Sequence, residues 1–149
     1  MALEGIIESI RKARADIIAN RETDALRIAF DLLSLIKLRI QTSGENAQNQ
    51  KFAPYTPFTK RDRAKKGYQI GFVDYTQTGV FWAGIRPRIE SATIVKAVVI
   101  IGPTDAYGSE VLVSAQTKRG NLLLASKEEI KVIEAVNLER VKNYLNFSK

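Results

Sequence analysis

The stretch FAPYTPFTKRDRAKKG, residues Phe52 to Gly67, divides the chain into a helical first part and a mixed second part. Pro54 and Pro57 exclude regular helix through its beginning, because proline lacks a backbone N–H and clashes with the preceding turn. The surrounding residues 42–72 show no hydrophobic periodicity, and Gly44 with its small polar neighbours predicts the end of the preceding helix. We therefore expect an extended arm or loop there, in which a short helix over Lys60–Lys66 is compatible with the sequence. Loops of this length usually are functional or disordered.

The residues before this stretch have the apolar spacing of α-helix. A single helix over residues 3–41 would be nearly 60 Å long at ~1.5 Å per residue, which is more than a compact domain of this size needs. We therefore predict two helices, or one helix with a kink near Asn20–Thr23, within a helical region that spans residues 1–41. The apolar positions recur three and four residues apart; they are Leu3, Ile6, Ile7, Ile10, Ala13, Ile17 and Ile18, then Leu26, Ala29, Phe30, Leu33, Ile36 and Ile40.

The residues after the stretch predict an α+β core over residues 73–149. Thr76 or Thr78 can cap a short helix through Val80–Trp82. Ile89–Ile101 is rich in β-branched residues and ends at Gly-Pro, which predicts a strand, and the apolar Ala97–Ile101 suggests a central place in the sheet. Ser109–Gln116 alternates and predicts a second strand, while Leu122–Leu124 predicts a short third strand.

The end of the chain carries a helix-capping signal. Ser126 is followed three residues later by Glu129, the pattern of a capping box that opens a helix. The fold class is therefore predicted as α+β: N-terminal helices, a long extended loop, a short helix, a small antiparallel sheet, and a C-terminal helix packed on the sheet. The 149 residues fit one domain, 1–149.

Charge is concentrated in one part of the chain. The net charge is +7, and residues 51–88 alone contribute eight basic and two acidic residues. Neither cysteine nor histidine is present, which excludes thiolate metal sites and the commonest catalytic base. Neither a signal peptide nor a membrane-length apolar run is visible, so we expect a soluble protein that is made in a cytoplasm, with no membrane partner.

Two groups of residues are candidate binding sites. A basic patch lies beside aromatic rings, an arrangement that suits a nucleic-acid binder, a protein-docking surface or simply a solvated loop; it consists of Lys60, Arg61, Arg63, Lys65 and Lys66. The candidate subunit-interface residues are Phe52, Tyr55, Phe58 and Trp82, although Trp82 is also a natural core residue. The turn carboxylates Asp74, Asp105 and Glu110 could in principle hold a hard metal ion, but solvated turn residues are the simpler interpretation.

The order of several short motifs resembles that of a known family. The motifs are Phe52–Thr56, then Lys65–Gly67, then Val73–Gly79 leading into a short helix, and finally Leu122–Glu129 before the last helix. This succession is similar to the small head–tail joining and tail-completion proteins of tailed bacteriophages, the virion-morphogenesis type. The resemblance covers roughly residues 25–145.

The resemblance implies a virion structural protein and not an enzyme, with no cofactor and no metal. Such a subunit forms a homo-oligomeric ring, 6- or 12-fold, in the neck or at the tail terminus. It joins the portal or adaptor to tail proteins and lines the DNA passage. The resemblance also implies that the ring assembles in the host bacterial cytoplasm. In the assembled ring, we expect residues 44–72 to be ordered by contacts with neighbouring chains.

Two alternatives stay open from the sequence alone. One is a small basic nucleic-acid-binding protein that uses the Lys60–Lys66 patch. The other is an enzyme whose metal ion is held by acidic side chains and backbone oxygens.

Overall fold

The computed structural model describes residues 2–76 and 79–145. Within these ranges the protein has five helices and one two-stranded antiparallel sheet, which confirms the α+β class. The elements in chain order are α1 (Ala2–Ser43), α2 (Pro57–Lys65), α3 (Val80–Gly84), β1 (Ile85–Ala92), β2 (Ala97–Pro103), α4 (Ala106–Arg119) and α5 (Lys127–Leu145).

Helix α1 is one continuous helix of 42 residues, so the prediction of two helices is wrong. No glycine or proline lies near Asn20–Thr23 to interrupt it. At ~1.5 Å per residue, α1 is about 63 Å long. It ends where the sequence predicts, because Gly44 has a φ of 63° and its N–H donates to the carbonyl of Ile40. A left-handed residue after the last helical turn is a common helix terminus.

The predicted strand Ile89–Ile101 is in fact a β-hairpin. β1 and β2 pair antiparallel with Ile85 opposite Pro103 and Ala92 opposite Ala97. Thr93 and Lys96 close the turn, since the N–H of Thr93 donates to the carbonyl of Lys96. The sheet has two strands within the described residues, so Ala97–Ile101 does not occupy a central position and is only half-buried.

The predicted second strand is also wrong, because Ser109–Gln116 lies inside helix α4. Asp105 caps this helix, and its side chain accepts from the N–H of Gly108 at 2.6 Å. The buried residues Gly108 and Ala115 are seven positions apart, a helical spacing that the alternating Val111, Val113 and Ala115 concealed. Leu122–Leu124 forms no strand either, but Leu122 is buried in the core.

Helix α5 packs chiefly along α1 instead of on the sheet. The two helices run antiparallel, as two ion pairs and one hydrogen bond between them show. The ion pairs join Arg39 to Glu129 and Arg140 to Asp31, and the hydrogen bond joins Tyr144 to Asp24. The capping box at the start of α5 is confirmed. The Ser126 N–H donates to Glu129 Oε2 at 2.7 Å, and the Glu129 N–H donates to Ser126 Oγ at 3.1 Å.

The two short helices differ in their caps. Pro57 is the first residue of α2, a position where its missing N–H costs nothing, and Thr56 caps the helix by accepting from the Thr59 N–H at 3.2 Å. The α2 helix thus begins three residues earlier than the sequence suggested. The residue that precedes α3 is Gly79, with a φ of 73° and no side chain to cap it. The predicted cap Thr78 lies outside the described residues.

The core is built where the second half of α1 meets the hairpin and the shorter elements. One face of α1 contributes residues three and four apart, a helical stripe. The buried cluster comprises Leu33, Ile36, Ile40, Phe52, Val73, Phe81, Trp82, Ile85, Ala115 and Leu122.

Candidate assembly site

The four predicted interface aromatics occupy different environments. Phe52 and Trp82 are buried in the core, and the Trp82 Nε1–H donates to the carbonyl of Asp74 at 3.1 Å. The prediction that these two rings face a neighbouring subunit is therefore wrong for the folded chain. Tyr55 is half-buried, and only Phe58 is freely accessible, at 75% exposure.

The predicted basic patch is also divided by the fold. Arg63 is buried to 2% exposure, so it belongs to the interior and not to a charged surface. Lys60 is half-buried, while Arg61, Lys65 and Lys66 are exposed. Helical geometry explains the division, because Arg63 lies on the opposite side of α2 from Arg61 and Lys65.

Arg63 is the centre of a buried polar network that fixes α2 to the segment before α3. Its Nη2 lies 3.0 Å from Asp74 Oδ1 and 3.2 Å from Oδ2, and its Nε donates to the Gln69 carbonyl at 2.9 Å. The guanidinium also lies over the rings of Tyr55 and Tyr68, at 4.5 and 5.5 Å from their centroids. The segment from α2 to Asp74 is therefore held by contacts within its own chain.

Asp74 is the acceptor of this network. Tyr55 Oη donates to Oδ1 at 2.9 Å, and Gln69 Nε2 donates to Oδ2 at 2.6 Å. Burial favours the neutral acid, but hydrogen bonds from Thr76 and Gln69 outweigh it and hold the pKa of Asp74 below its ordinary value. Burial raises the pKa of Tyr55, so its hydroxyl stays a proton donor. The interpretation of Asp74 as a solvated turn residue is wrong.

The outer side of α2 presents a small basic and aromatic surface. Phe58, Arg61, Asp62 and Lys65 line one shallow depression. Asp62 pairs with Lys66 at 2.9 Å. The α2 outer face, defined as Phe58, Arg61 and Lys65, is what remains of the predicted binding patch.

A further exposed apolar surface lies at the start of α1, which the predicted site residues did not include. Every side chain from Glu4 to Lys12 is exposed, although this segment contains three isoleucines: Ile6, Ile7 and Ile10. We call residues 4–10 the terminal arm. The three-four spacing was visible in the sequence, but spacing alone does not tell whether a face is covered by the same chain.

A groove lies further along α1, beside the terminal arm. Its floor is α1 from Ile17 to Ile28, one wall is the hairpin turn, and the other wall is the last part of α5. Its volume is about 260 Å³. Beyond Ile17 and the hairpin turn it continues into a second apolar depression of about 280 Å³ that reaches Ala13 and Ile10. Ile94 and Val95 at the hairpin turn are both exposed and line both depressions.

The other carboxylates do not form a metal site. Within residues 2–76 and 79–145 no three acidic side chains converge closely enough to hold an ion. Asp105 caps α4, as expected of a short turn side chain. None of the helices in the described part of the chain is long and apolar enough to cross a membrane.

Comparison with protein families, curated proteins and solved structures found no match to this chain.

Proposed function

We propose that the protein is a structural subunit of a bacteriophage neck or tail terminus, which assembles into a ring that joins the head to the tail. The observation that carries the assembling role is the terminal arm, a helical segment whose three isoleucines are exposed. The ordered motifs that resemble phage head–tail joining proteins support the place of that assembly.

The terminal arm is difficult to explain in a protein that acts as a single chain. Isolated helical turns are marginal in water, and most helical stability comes from packing an apolar face against something else. Ile6 and Ile10 are each more than half exposed, and Ile7 is 43% exposed. Contiguous exposed apolar surface usually marks an interaction site. An arm of this kind is what a subunit needs to reach its neighbour.

Imaging of virions assembled without the protein tests the phage role. The gene would be disrupted in the phage that encodes it, and particles would be examined by negative-stain electron microscopy. We expect filled heads without tails if the subunit joins head to tail, leaking heads if it closes the head, and over-long tails if it caps the tail tube. Expression of the intact gene in trans should restore normal particles. Normal, infectious virions without the protein would refute the proposal.

A second candidate function, nucleic-acid binding, is favoured by the α2 outer face. Phe58 offers a ring for a base, and Arg61 and Lys65 offer cations for phosphates. The structure reduces the predicted patch, because Arg63 is committed to Asp74. A ring in which the α2 outer face lined the DNA passage would use the same cations, so the two functions are compatible.

A salt titration tests this second candidate. Each phosphate contact adds about −0.9 to the slope of log affinity against log salt for duplex DNA. Replacement of Arg61 and Lys65 by glutamine should then reduce the slope by about 2. Val113→Gln on α4 is the neutral surface control. A gel shift that shows no binding to the wild-type protein at low salt removes this candidate.

A further inference from the structure

We propose that the terminal arm of one copy docks into the groove between α1, the hairpin turn and α5 of the next copy. The inference rests on the proposed assembly from identical subunits, but not on the phage role. It assigns the occupant of the groove and makes the contact head-to-tail, because the arm and the groove are different surfaces of the same chain. Only Ile10 of the arm also lines the extension of the groove.

Both partners of the proposed contact present exposed apolar side chains. The arm presents Ile6, Ile7 and Ile10 on adjacent helical turns, the three-four pattern with which a helix fills an apolar groove. The groove offers Ile17, Ile28, Ile94 and Val141 among its lining residues. Exposed isoleucines and an open apolar groove would thus cover each other.

The charges are complementary. The arm carries two acidic residues, Glu4 and Glu8, and no basic residue. The groove and its extension are lined by Arg14, Arg21, Lys96 and Arg140, against the single acid Asp24. An arm with two carboxylates therefore enters a groove with an excess of positive charge.

Some of those groove charges are already paired within the chain. Arg140 bonds Asp31 at 2.6 Å, Arg21 lies 3.6 Å from Glu22, and Asp24 accepts from Tyr144. Arg14 and Lys96 have no carboxylate within 4 Å in the part of the chain that the structure describes. On the arm, Glu8 lies 3.8 Å from Arg11 of its own helix, but both side chains are 75% exposed and such a surface pair is weak. Arg14 and Lys96 are therefore the natural partners of an incoming Glu4 or Glu8.

The arm cannot occupy the groove of its own chain. α1 is continuous from the arm through Ile17, so the arm lies along the same axis as the groove floor. Folding it back would require breaking α1 between these positions. A second copy has no such constraint. Since each copy then carries one arm and one groove, the contact repeats from copy to copy and closes into a ring when the rotation allows it.

Charge reversal on each side of the contact tests the proposal. Glu8→Lys alters the arm, and Lys96→Glu alters the groove. Sedimentation velocity over a range of protein concentrations would measure assembly, with circular dichroism to show that each variant is folded. We expect each variant alone to need at least about tenfold more protein for assembly, which corresponds to about 1.4 kcal/mol. The control Glu110→Lys makes the same charge change at an exposed position on α4 and should assemble like the wild type.

Mixing the two variants distinguishes this contact from others. The arm of the Glu8→Lys variant and the groove of the Lys96→Glu variant attract each other, and so do the unchanged arm and the unchanged groove. An equimolar mixture should therefore assemble where neither variant does alone. Symmetric arm-to-arm pairing would instead leave Lys96→Glu unaffected, which overturns the proposal. A mixture that stays dissociated, or variants that both assemble normally, also overturn it.

Two further results separate this inference from the proposed function. A wild-type protein that remains monomeric at its highest soluble concentration refutes the docking contact, whatever the virion images show. Normal virions without the protein refute the phage role but leave a measured arm-to-groove contact intact.

Discussion

Arg63 and Asp74 form an ion pair 3.0 Å long whose side chains are 2% and 4% exposed. The pair joins α2 to the segment that precedes α3, across eleven positions of sequence. Both partners have further hydrogen bonds, from Arg63 to the Gln69 carbonyl and to Asp74 from Tyr55 and Gln69. Because both charged groups have these hydrogen bonds, the free-energy cost of removing them from water is largely offset.

Removal of one partner should be costly. Arg63→Met keeps an apolar stem of similar length but leaves the Asp74 carboxylate without its counter-ion. Breaking a buried pair from one side typically costs about 3–5 kcal/mol. We therefore expect urea unfolding at one fixed protein concentration to show a loss of this size in the free energy of unfolding.

The control for this prediction lies two residues away. Arg61→Met removes an exposed arginine of the same helix and should change the free energy of unfolding by less than about 0.5 kcal/mol. The double variant Arg63→Met/Asp74→Asn should recover part of the loss, because no buried charge remains. Equal losses for Arg61→Met and Arg63→Met would contradict the burial of the pair.

The stability contributed by Asp74 should depend on pH. Its folded pKa lies below the ordinary value of 3.8, so the unfolded chain takes up this proton first as the pH falls. The contribution is therefore complete above the ordinary pKa and is lost as the pH falls through the folded pKa. The difference in unfolding free energy between the wild type and Asp74→Asn should be constant near neutral pH and shrink below about pH 4.

Tyr55→Phe provides a second measurement of the same group. It removes one hydrogen-bond donor to the Asp74 carboxylate and so should raise the folded pKa of Asp74 towards the unfolded value. The stability that Asp74 contributes would then be lost over a narrower pH range. Urea midpoints measured from about pH 3 to pH 7 would show both effects. A wild-type advantage over Asp74→Asn that grows as the pH falls would be the opposite of the expected sign.

Gly44 should tolerate alanine much less well than Gly67. Both have a positive φ, 63° and 74°, where a side chain costs about 1–2 kcal/mol. A Cβ at Gly44 would also lie 2.8 Å from Cβ and Cδ2 of Phe72, whereas a Cβ at Gly67 meets nothing within 4 Å. We expect Gly44→Ala to lower the melting temperature clearly more than Gly67→Ala. Equal decreases in melting temperature for the two variants would mean that backbone strain alone determines the loss of stability and that the contact with Phe72 adds nothing.

The structural features that the sequence predicted correctly depend on residues close together in the chain. Ser126 and Glu129 predicted the start of α5, and Gly44 predicted the end of α1, because caps and left-handed turns depend on residues close in the chain. The interior position of Arg63 was not predictable in the same way. It depends on Asp74, and no local pattern identifies a charge whose partner lies on another element.

The wrong strand prediction within α4 arose because a β-strand periodicity and an α-helix periodicity both fit the same residues. In Val111–Ala115 an alternating pattern and a helical pattern coexist, and the cap at Asp105 decided for the helix. The terminal arm shows that a correctly predicted helix face can still be left uncovered by its own chain. Its isoleucines predicted an apolar helix face, but the chain that folds around α1 begins to cover that face only at Ala13. The α+β class was predictable from the mixture of elements, while the candidate assembly site required knowing which face the chain leaves open.

Glu129 should matter more for stability than Ser126, although both belong to the same capping box. Ser126→Ala removes one cap bond and should cost about 1 kcal/mol. Glu129 has a second role, because its Oε1 accepts from Arg39 Nε at 2.8 Å, and both side chains are about nine-tenths buried. Glu129→Ala therefore loses the bond to the Ser126 N–H and leaves Arg39 without its counter-ion, which we expect to cost about 3 kcal/mol or more.

The same unfolding measurement on Glu128→Ala provides the control for this prediction. Glu128 is the adjacent, exposed acid in the first turn of α5, so its removal affects only the interaction with the helix dipole. That loss should be a few tenths of a kcal/mol. Arg39 also donates to the carbonyls of Glu45 and Leu124, at 2.6 and 3.0 Å, so it anchors the end of α1 to the start of α5. If Glu129→Ala cost no more than Ser126→Ala, those two carbonyls alone would suffice to hold Arg39, and the ion pair would contribute nothing to the packing of α5 on α1.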